Sequence, residues 1–174
     1  MAVSQVISSD ELERARTLAA SVTDPELPVL TLAALGVLRD VHAEDGRVVA
    51  TITPTYSGCP AMAAIRDDLV RTLTTAGFDD VEVRVRLQPA WTTDWISAEG
   101  LDALRRNGIS APGPAPRHAV GAIPLQLGPT RRTLACPRCG SSATRLVSEF
   151  GATACKSLHR CEACLEPFEH VKEI

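Results

Sequence analysis

Six cysteines carry most of the chemistry this chain could do. Four of them form two Cys-x-x-Cys knuckles, Cys136-Pro-Arg-Cys139 and Cys161-Glu-Ala-Cys164, with 21 residues between them. A knuckle turns two sulfurs toward one ion while nearby backbone N–H groups support the thiolates. Two knuckles supply four soft ligands, the set that suits Zn²⁺ or a single iron. A module of roughly forty residues around them cannot bury enough surface to fold alone, so metal binding would supply its folding energy. Zinc is the expected metal, since a structural zinc needs only these four residues, whereas an electron-transfer iron needs tuned surroundings that no residue marks. Cys155 is either a buried strand residue or a second functional thiol, and His159 finds no vacancy beside four thiolates.

Cys59 stands apart, in Thr53-Pro54-Thr55-Tyr56-Ser57-Gly58-Cys59-Pro60. The β-branched run Arg47–Thr53 predicts a strand before it, and Met62, Ile65, Leu69, Val70 and Leu73 predict a helix after it. That pattern places Cys59 at the helix N-cap with Pro60 in the first helical position. Backbone N–H groups and the positive end of the helix dipole would favour its thiolate, the form that binds metal or attacks electrophiles. A lone cysteine is more often a small apolar filler. The hydroxyls and glycine just upstream favour a functional reading here.

The remaining elements position these residues. Ser8-Ser-Asp-Glu11 has capping-box spacing, opening a helix from about Ser9 to Ser21. Asp24-Pro25-Glu26-Leu27-Pro28 breaks it. Leu30, Leu32 and Leu35 predict a short inward-packing turn ending at Gly36. Val37–His42 reads as a strand, and Glu44-Asp45-Gly46 as a hairpin turn into the next. Gly77 closes the Cys59 helix. Val81, Val83, Val85 and Leu87 then alternate on one strand face. A hairpin followed by a helical crossover requires a mixed sheet. The fold class is therefore a two-layer α/β sandwich with a small mixed sheet, followed by a zinc ribbon whose strands cover Thr144–Ser148 and Ser157–Arg160. Trp91 and Trp95 sit in a polar loop, either as a packing lid or as a partner surface, and the two readings stand level. Ser97 caps a helix to Asn107. Five of the twelve prolines fall between residues 108 and 129, which sets the domains at 1–107 and 132–174 with a linker at 108–131. His118, inside it, has no visible metal partners.

Charge limits the function classes. The chain carries 18 Lys+Arg against 21 Asp+Glu, a net −3, which argues against general nucleic-acid binding. Residues 1–98 hold eight Lys/Arg and fourteen Asp/Glu, while residues 131–174 hold seven and five. The acidic half points to a protein partner or to solubility alone. No apolar run is long enough for a bilayer, and the first residues lack a basic region followed by an apolar core, so a cytoplasmic location without membrane association is expected. No Glu-x-x-His pair for a di-iron bundle and no glycine-rich dinucleotide loop are visible, so no conventional catalyst is apparent.

Asp24-Pro-Glu-Leu-Pro28, Leu35-Gly-Val-Leu38 and Thr53–Pro60 resemble the small domain of bacterial and eukaryotic iron–sulfur assembly factors. With Trp91-Thr-Thr-Asp-Trp95, Glu149–Lys156 and the ribbon added, nearly the whole chain resembles the PaaD family of accessory components of phenylacetyl-CoA ring 1,2-epoxidase systems. The resemblance implies a role in aerobic phenylacetate breakdown, in maturing the cluster of the reductase component. It implies Cys59 as the residue that receives iron or a nascent iron–sulfur cluster, flanked by Asp24 and Glu26, with Thr55 and Ser57 donating hydrogen bonds to its sulfur. One cysteine cannot hold a stable cluster, so transfer or sharing across a homodimer is implied. The alternative is a non-catalytic scaffold of the oxygenase complex. Ala152 and the terminal Val171-Lys-Glu-Ile174 depart from the family pattern.

Overall fold

The computed structural model describes residues 6–56, 58–116 and 134–174. Ser57 and most of the proline-rich stretch, with His118, lie outside the described residues. The chain divides into two units, Met1–Ala103 and Leu104–Ile174.

The first unit opens with α1, Ser9–Ser21, capped as its sequence requires: Ser8 accepts the Glu11 N–H while the Glu11 carboxylate accepts the Ser8 N–H at 2.8 Å. Ala15 and Ala19 are its fully buried face. Strand β1 (Leu38–Glu44) pairs antiparallel with β2 (Arg47–Ile52). Asp45 (φ 50°) and Gly46 (φ 82°) make the turn, and both need the left-handed conformation that a two-residue hairpin imposes. Helix α2 (Met62–Thr75) carries the crossover to β3 (Val81–Val85), which lies parallel to β2. The sheet order β1-β2-β3 is mixed, as expected.

One sheet face lies under the helices, with Ala50, Ile52, Ile65, Leu69 and Leu73 buried. Charged side chains cover the other. Arg84 makes two hydrogen bonds to Glu44, at 2.7 and 2.6 Å, and bonds Glu82 as well, while Arg47 reaches Glu82 at 3.1 Å. Beneath this layer Val49 and Thr51 are excluded from water. Val83 alone of the alternating β3 residues is buried. Val85 is 43% and Leu87 55% exposed, because β3 is an edge strand that runs out past its cover.

The Leu30–Gly36 turn packs inward as predicted, with Leu30, Leu32 and Leu35 at most 2% exposed. Gly36 has φ 75°, and a Cβ there would lie 2.7 Å from Trp95 Cβ and from the Trp95 carbonyl oxygen. Only glycine fits both demands. Trp91 is 4% exposed and its indole N–H donates to the Leu35 carbonyl at 3.0 Å. It is thus a packing residue and not a partner surface, a correction that follows from its reach across the Leu35 turn. Trp95 is half-buried, with the Arg39 guanidinium 3.6 Å from its ring centroid. Helix α3 (Ala98–Arg106) follows, and Ser97 accepts the Gly100 N–H at its start.

In the second unit β4 (Thr144–Ser148), β5 (Lys156–Cys161) and β6 (Pro167–Val171) form an antiparallel sheet in sequence order. Strand β6 is an addition to the two strands read from the sequence. So is Ser110, whose N–H donates to the Glu169 carbonyl at 2.8 Å and whose own carbonyl accepts the Val171 N–H at 3.1 Å. Proline-rich composition masks this pairing, since a single residue can add to a sheet edge without any alternating pattern around it.

Candidate functional site

The two knuckles converge. The four Sγ atoms of Cys136, Cys139, Cys161 and Cys164 all lie within 4.8 Å of one another, with Cys136–Cys164 at 3.7 Å and Cys139–Cys161 at 3.6 Å. A tetrahedral ion with bonds of about 2.3 Å to sulfur would set sulfur–sulfur edges of roughly 3.8 Å. The donor set therefore fits one tetrahedral metal. Cys136 and Cys161 are buried with Phe168, and Cys139 and Cys164 lie toward solvent. Backbone N–H donors, Cys164 foremost, bring the Cys161 thiol down to about 6. Cys139 receives a backbone bond from Ser141 as well, yet the sulfurs of Cys164, Cys161 and Cys136 around it push its thiol up to about 12. Four soft donors gathered this closely suit a cation held between them.

Each knuckle is built on a turn. Gly140 (φ 73°) ends the first, where its N–H donates to the Cys136 carbonyl at 2.9 Å, and Leu165 (φ 66°) ends the second. What sequence reasoning missed is the support on the far side of the sheet. Lys156, buried, bonds Glu169 at 2.7 Å, and Glu169 also accepts the Ala152 N–H at 2.9 Å. Burial alone would raise the Glu169 carboxyl, but these two donors hold it below its usual value. The alternation Phe168-Glu169-His170-Val171 was the signal that could have disclosed β6 and its partners. Cys155 is buried beside Thr153, 3.1 Å from its hydroxyl, with its carbonyl accepting the Lys172 N–H. His159 is no ligand. It bonds Ser157 at 2.9 Å and stacks on Phe168 at 5.7 Å, and burial lowers its pKa.

The Cys59 loop differs from expectation. Helix α2 begins at Met62, and its N-cap is Ala61, which makes no side-chain cap bond. Cys59 lies two residues upstream in a turn: its N–H donates to the Tyr56 carbonyl at 3.2 Å, and its carbonyl accepts the Met62 N–H at 3.4 Å. Pro60 therefore precedes the helix and does not occupy its first position. The dipole weakens beyond the first turn, so the helix no longer accounts for a thiolate at this distance. Cys59 is half-buried and Thr55 likewise.

Asp24 is buried and spends one carboxylate oxygen on its own loop, accepting the Glu26 and Leu27 N–H groups at 2.8 Å each. Glu26 is half-buried. That loop is closed by Leu32 N–H to the Val22 carbonyl at 2.7 Å. The Leu32 carbonyl in turn accepts from Val37, and the Val37 carbonyl from Thr53 at 2.8 Å. A continuous run of backbone bonds thus roots the Asp24 loop and the Cys59 loop at one end of the sheet, where β1 begins and β2 ends. Parallel strands place ligand sites at this carboxyl end.

Comparison with known proteins follows the same two-part division. Residues 13–85 match a family model described as "Iron-sulfur cluster assembly protein", and residues 123–172 one described as "PaaD zinc beta ribbon domain". A protein of Escherichia coli (strain K12), named as a putative 1,2-phenylacetyl-CoA epoxidase subunit, is 43% identical over 166 residues, spanning 95% of both chains. The chain belongs to the PaaD family. Its PaaD ribbon is the part that carries the four-cysteine site. The other part is shared more widely: "Fe-S protein maturation auxiliary factor YitW" of Bacillus subtilis (strain 168) is 38% identical over 85 residues, covering 48% of this chain and 82% of that one. A crystal structure of a DUF59 domain from Bacillus anthracis, 30% identical, covers 53% of this PaaD chain and 90% of its own, with a TM-score of 0.50. Among the described residues no helix is long and apolar enough to cross a membrane.

Proposed function

We propose that this protein is an accessory assembly factor of a phenylacetyl-CoA epoxidase system that helps to mature the iron–sulfur cluster of the reductase component. The observation that carries the reading is the union, in one chain, of an assembly-factor half with the PaaD ribbon. Cys59 is the residue that receives iron or a nascent cluster. Its loop and the Asp24 loop share one end of the sheet, which supports Asp24 and Glu26 as flanking groups; Thr55 and Ser57 are assigned as hydrogen-bond donors to its sulfur. The iron or cluster is cargo, received and passed on, or shared across a homodimer. Residues 1–107 perform this step, residues 132–174 dock the client, and residues 108–131 join them, with Ser110 paired to the ribbon's β6. Zinc on Cys136, Cys139, Cys161 and Cys164 holds the ribbon's fold and takes no part in chemistry. Cys155, buried, is a packing residue in this scheme. The protein acts in the cytoplasm, with protein partners and neither nucleic acid nor membrane.

The test is metal and sulfide analysis of wild type and Cys59→Ala, both purified without oxygen and after incubation with an iron and sulfide source. Wild type is expected to hold one zinc plus iron or sulfide, and the variant zinc alone. Unchanged iron and sulfide in the variant would overturn the role of Cys59. The name of the Escherichia coli relative, a subunit of an epoxidase, favours a second reading as a structural component of the oxygenase complex. Stoichiometric copurification with the oxygenase that survives Cys59→Ala would select it.

A further inference from the structure

The outer edge of β3 runs out of the sheet uncovered beside the end of β2. The Arg86 N–H donates to the Ile52 carbonyl at 2.9 Å, so the β3 ladder continues one residue past Val85. In a parallel pair a residue turns both its N–H and C=O toward one neighbour, so Glu82, Arg84 and Arg86 face β2 while Val83, Val85 and Leu87 face outward. That outward edge has no strand partner among the described residues. From Val85 through Ala90 every residue is exposed. Long, apolar, uncovered edges are sites of strand addition.

Charge says what kind of strand it takes. His42, Arg84, Arg86 and Gln88, with Val85 and Leu87, line a groove of about 410 Å³. Arg84 is neutralised by Glu44 and Glu82, and His42 is hydrogen-bonded to Asp40 at 2.8 Å. Arg86 is exposed and holds no carboxylate among the described residues. It is a cation left over at the rim of a paired network. Residues 1–98 otherwise carry an excess of six negative charges. An acidic partner is thus repelled from most of this half, and Arg86 is a place that accepts it.

We propose that the β3 edge from Val85 to Gln88 receives an extended, acidic segment of the client protein, added as a fourth strand. Its backbone pairs with the outward groups of Val85 and Leu87, a carboxylate meets Arg86, and an apolar residue covers the Val85 and Leu87 side chains. Because Ile52 leads directly into Thr53 and the Cys59 loop, a client docked here is held at the end of the sheet where that loop lies. The inference rests on the client reading above.

Binding of the cluster-free reductase component to the full chain is measured at low and high salt for wild type, Arg86→Glu, Leu87→Pro and Arg66→Glu. Arg66 is an exposed residue of α2 and controls for net charge. Leu87→Pro removes an outward N–H without loss of a bond to β2. At low salt, at least tenfold weaker binding is expected for Arg86→Glu and Leu87→Pro and less than twofold change for Arg66→Glu. Backbone exchange at residues 83–87 should slow in the complex. Equal losses for Arg86→Glu and Arg66→Glu, or wild-type binding by Arg86→Glu and Leu87→Pro, would overturn the edge site and leave the client reading standing. Absence of any complex with wild type would overturn the client reading, and the edge proposal with it.

Discussion

Inside the ribbon the Lys156 ammonium lies 2.7 Å from Glu169 Oε2, with only 6% of the lysine side chain exposed. A buried charge with its partner removed is costly, whereas an apolar replacement of both is often neutral. Glu169→Gln is expected to destabilise the ribbon by about 3 kcal/mol. The double variant Lys156→Met/Glu169→Leu should regain most of that loss. Chemical denaturation of the zinc-loaded protein, followed at ribbon amides by NMR, checks both. Equal stability of the single and double variants would show that the pair itself is not the cause.

Removal of the metal should unfold one part of the molecule. Chelation, or Cys161→Ser, is expected to take zinc from one per chain to none and to collapse the amide dispersion of residues 134–174. Apparent binding free energies of structural zinc are on the order of 10 kcal/mol, more than a domain of this size stores otherwise. Both tryptophans lie in the first unit, so their fluorescence unfolding should remain where it was. A parallel loss of that transition contradicts the prediction.

Gly36→Ala is expected to be among the most damaging single-methyl changes in the first unit. The left-handed backbone costs alanine about 1–2 kcal/mol, and contact with Trp95 adds to it. Trp91→Phe keeps most of the burial but leaves the Leu35 carbonyl without its indole donor, a loss of about 1–3 kcal/mol. Urea midpoints at constant slope measure both. A Gly36→Ala protein of wild-type stability is incompatible with the geometry at this contact.

The pH dependence of the first unit follows from Glu44. Hydrogen bonds from Arg84 first, and from His42, hold its carboxyl at about 2 against burial, down from an ordinary 4.5. A depressed carboxylate contributes stability above its unfolded pKa and loses it as the pH falls through its folded one. Tryptophan-monitored stability should therefore show no contribution from Glu44 to its slope between pH 7 and 5.5, and decline from about 4.5 toward about 2. Glu44→Gln should decline less steeply over that window. Identical slopes for the two proteins would remove Glu44 as a source.

Local chemistry was legible from the residues alone. The Ser8–Glu11 box, the Asp45–Gly46 turn, the Gly77 stop and the two knuckles each depend on groups within a few residues of one another. Backbone geometry and side-chain reach decide such features without reference to the rest of the chain. The mixed sheet followed because a two-residue hairpin and a helical crossover leave no other pairing. Tertiary structure decided the rest. Trp91 could pack or protrude until the Leu35 carbonyl came within its reach, and Val85 looked as buried as Val83 until β3 proved to be an edge. Cys59 fell outside the helix because a turn from Tyr56 to Met62 intervenes, which proline and glycine permit but do not announce. Lys156 and Glu169 are thirteen residues apart, and Ser110 is sixty from His170. Contacts at such separations depend on how the strands register, and no spacing within a single segment encodes that.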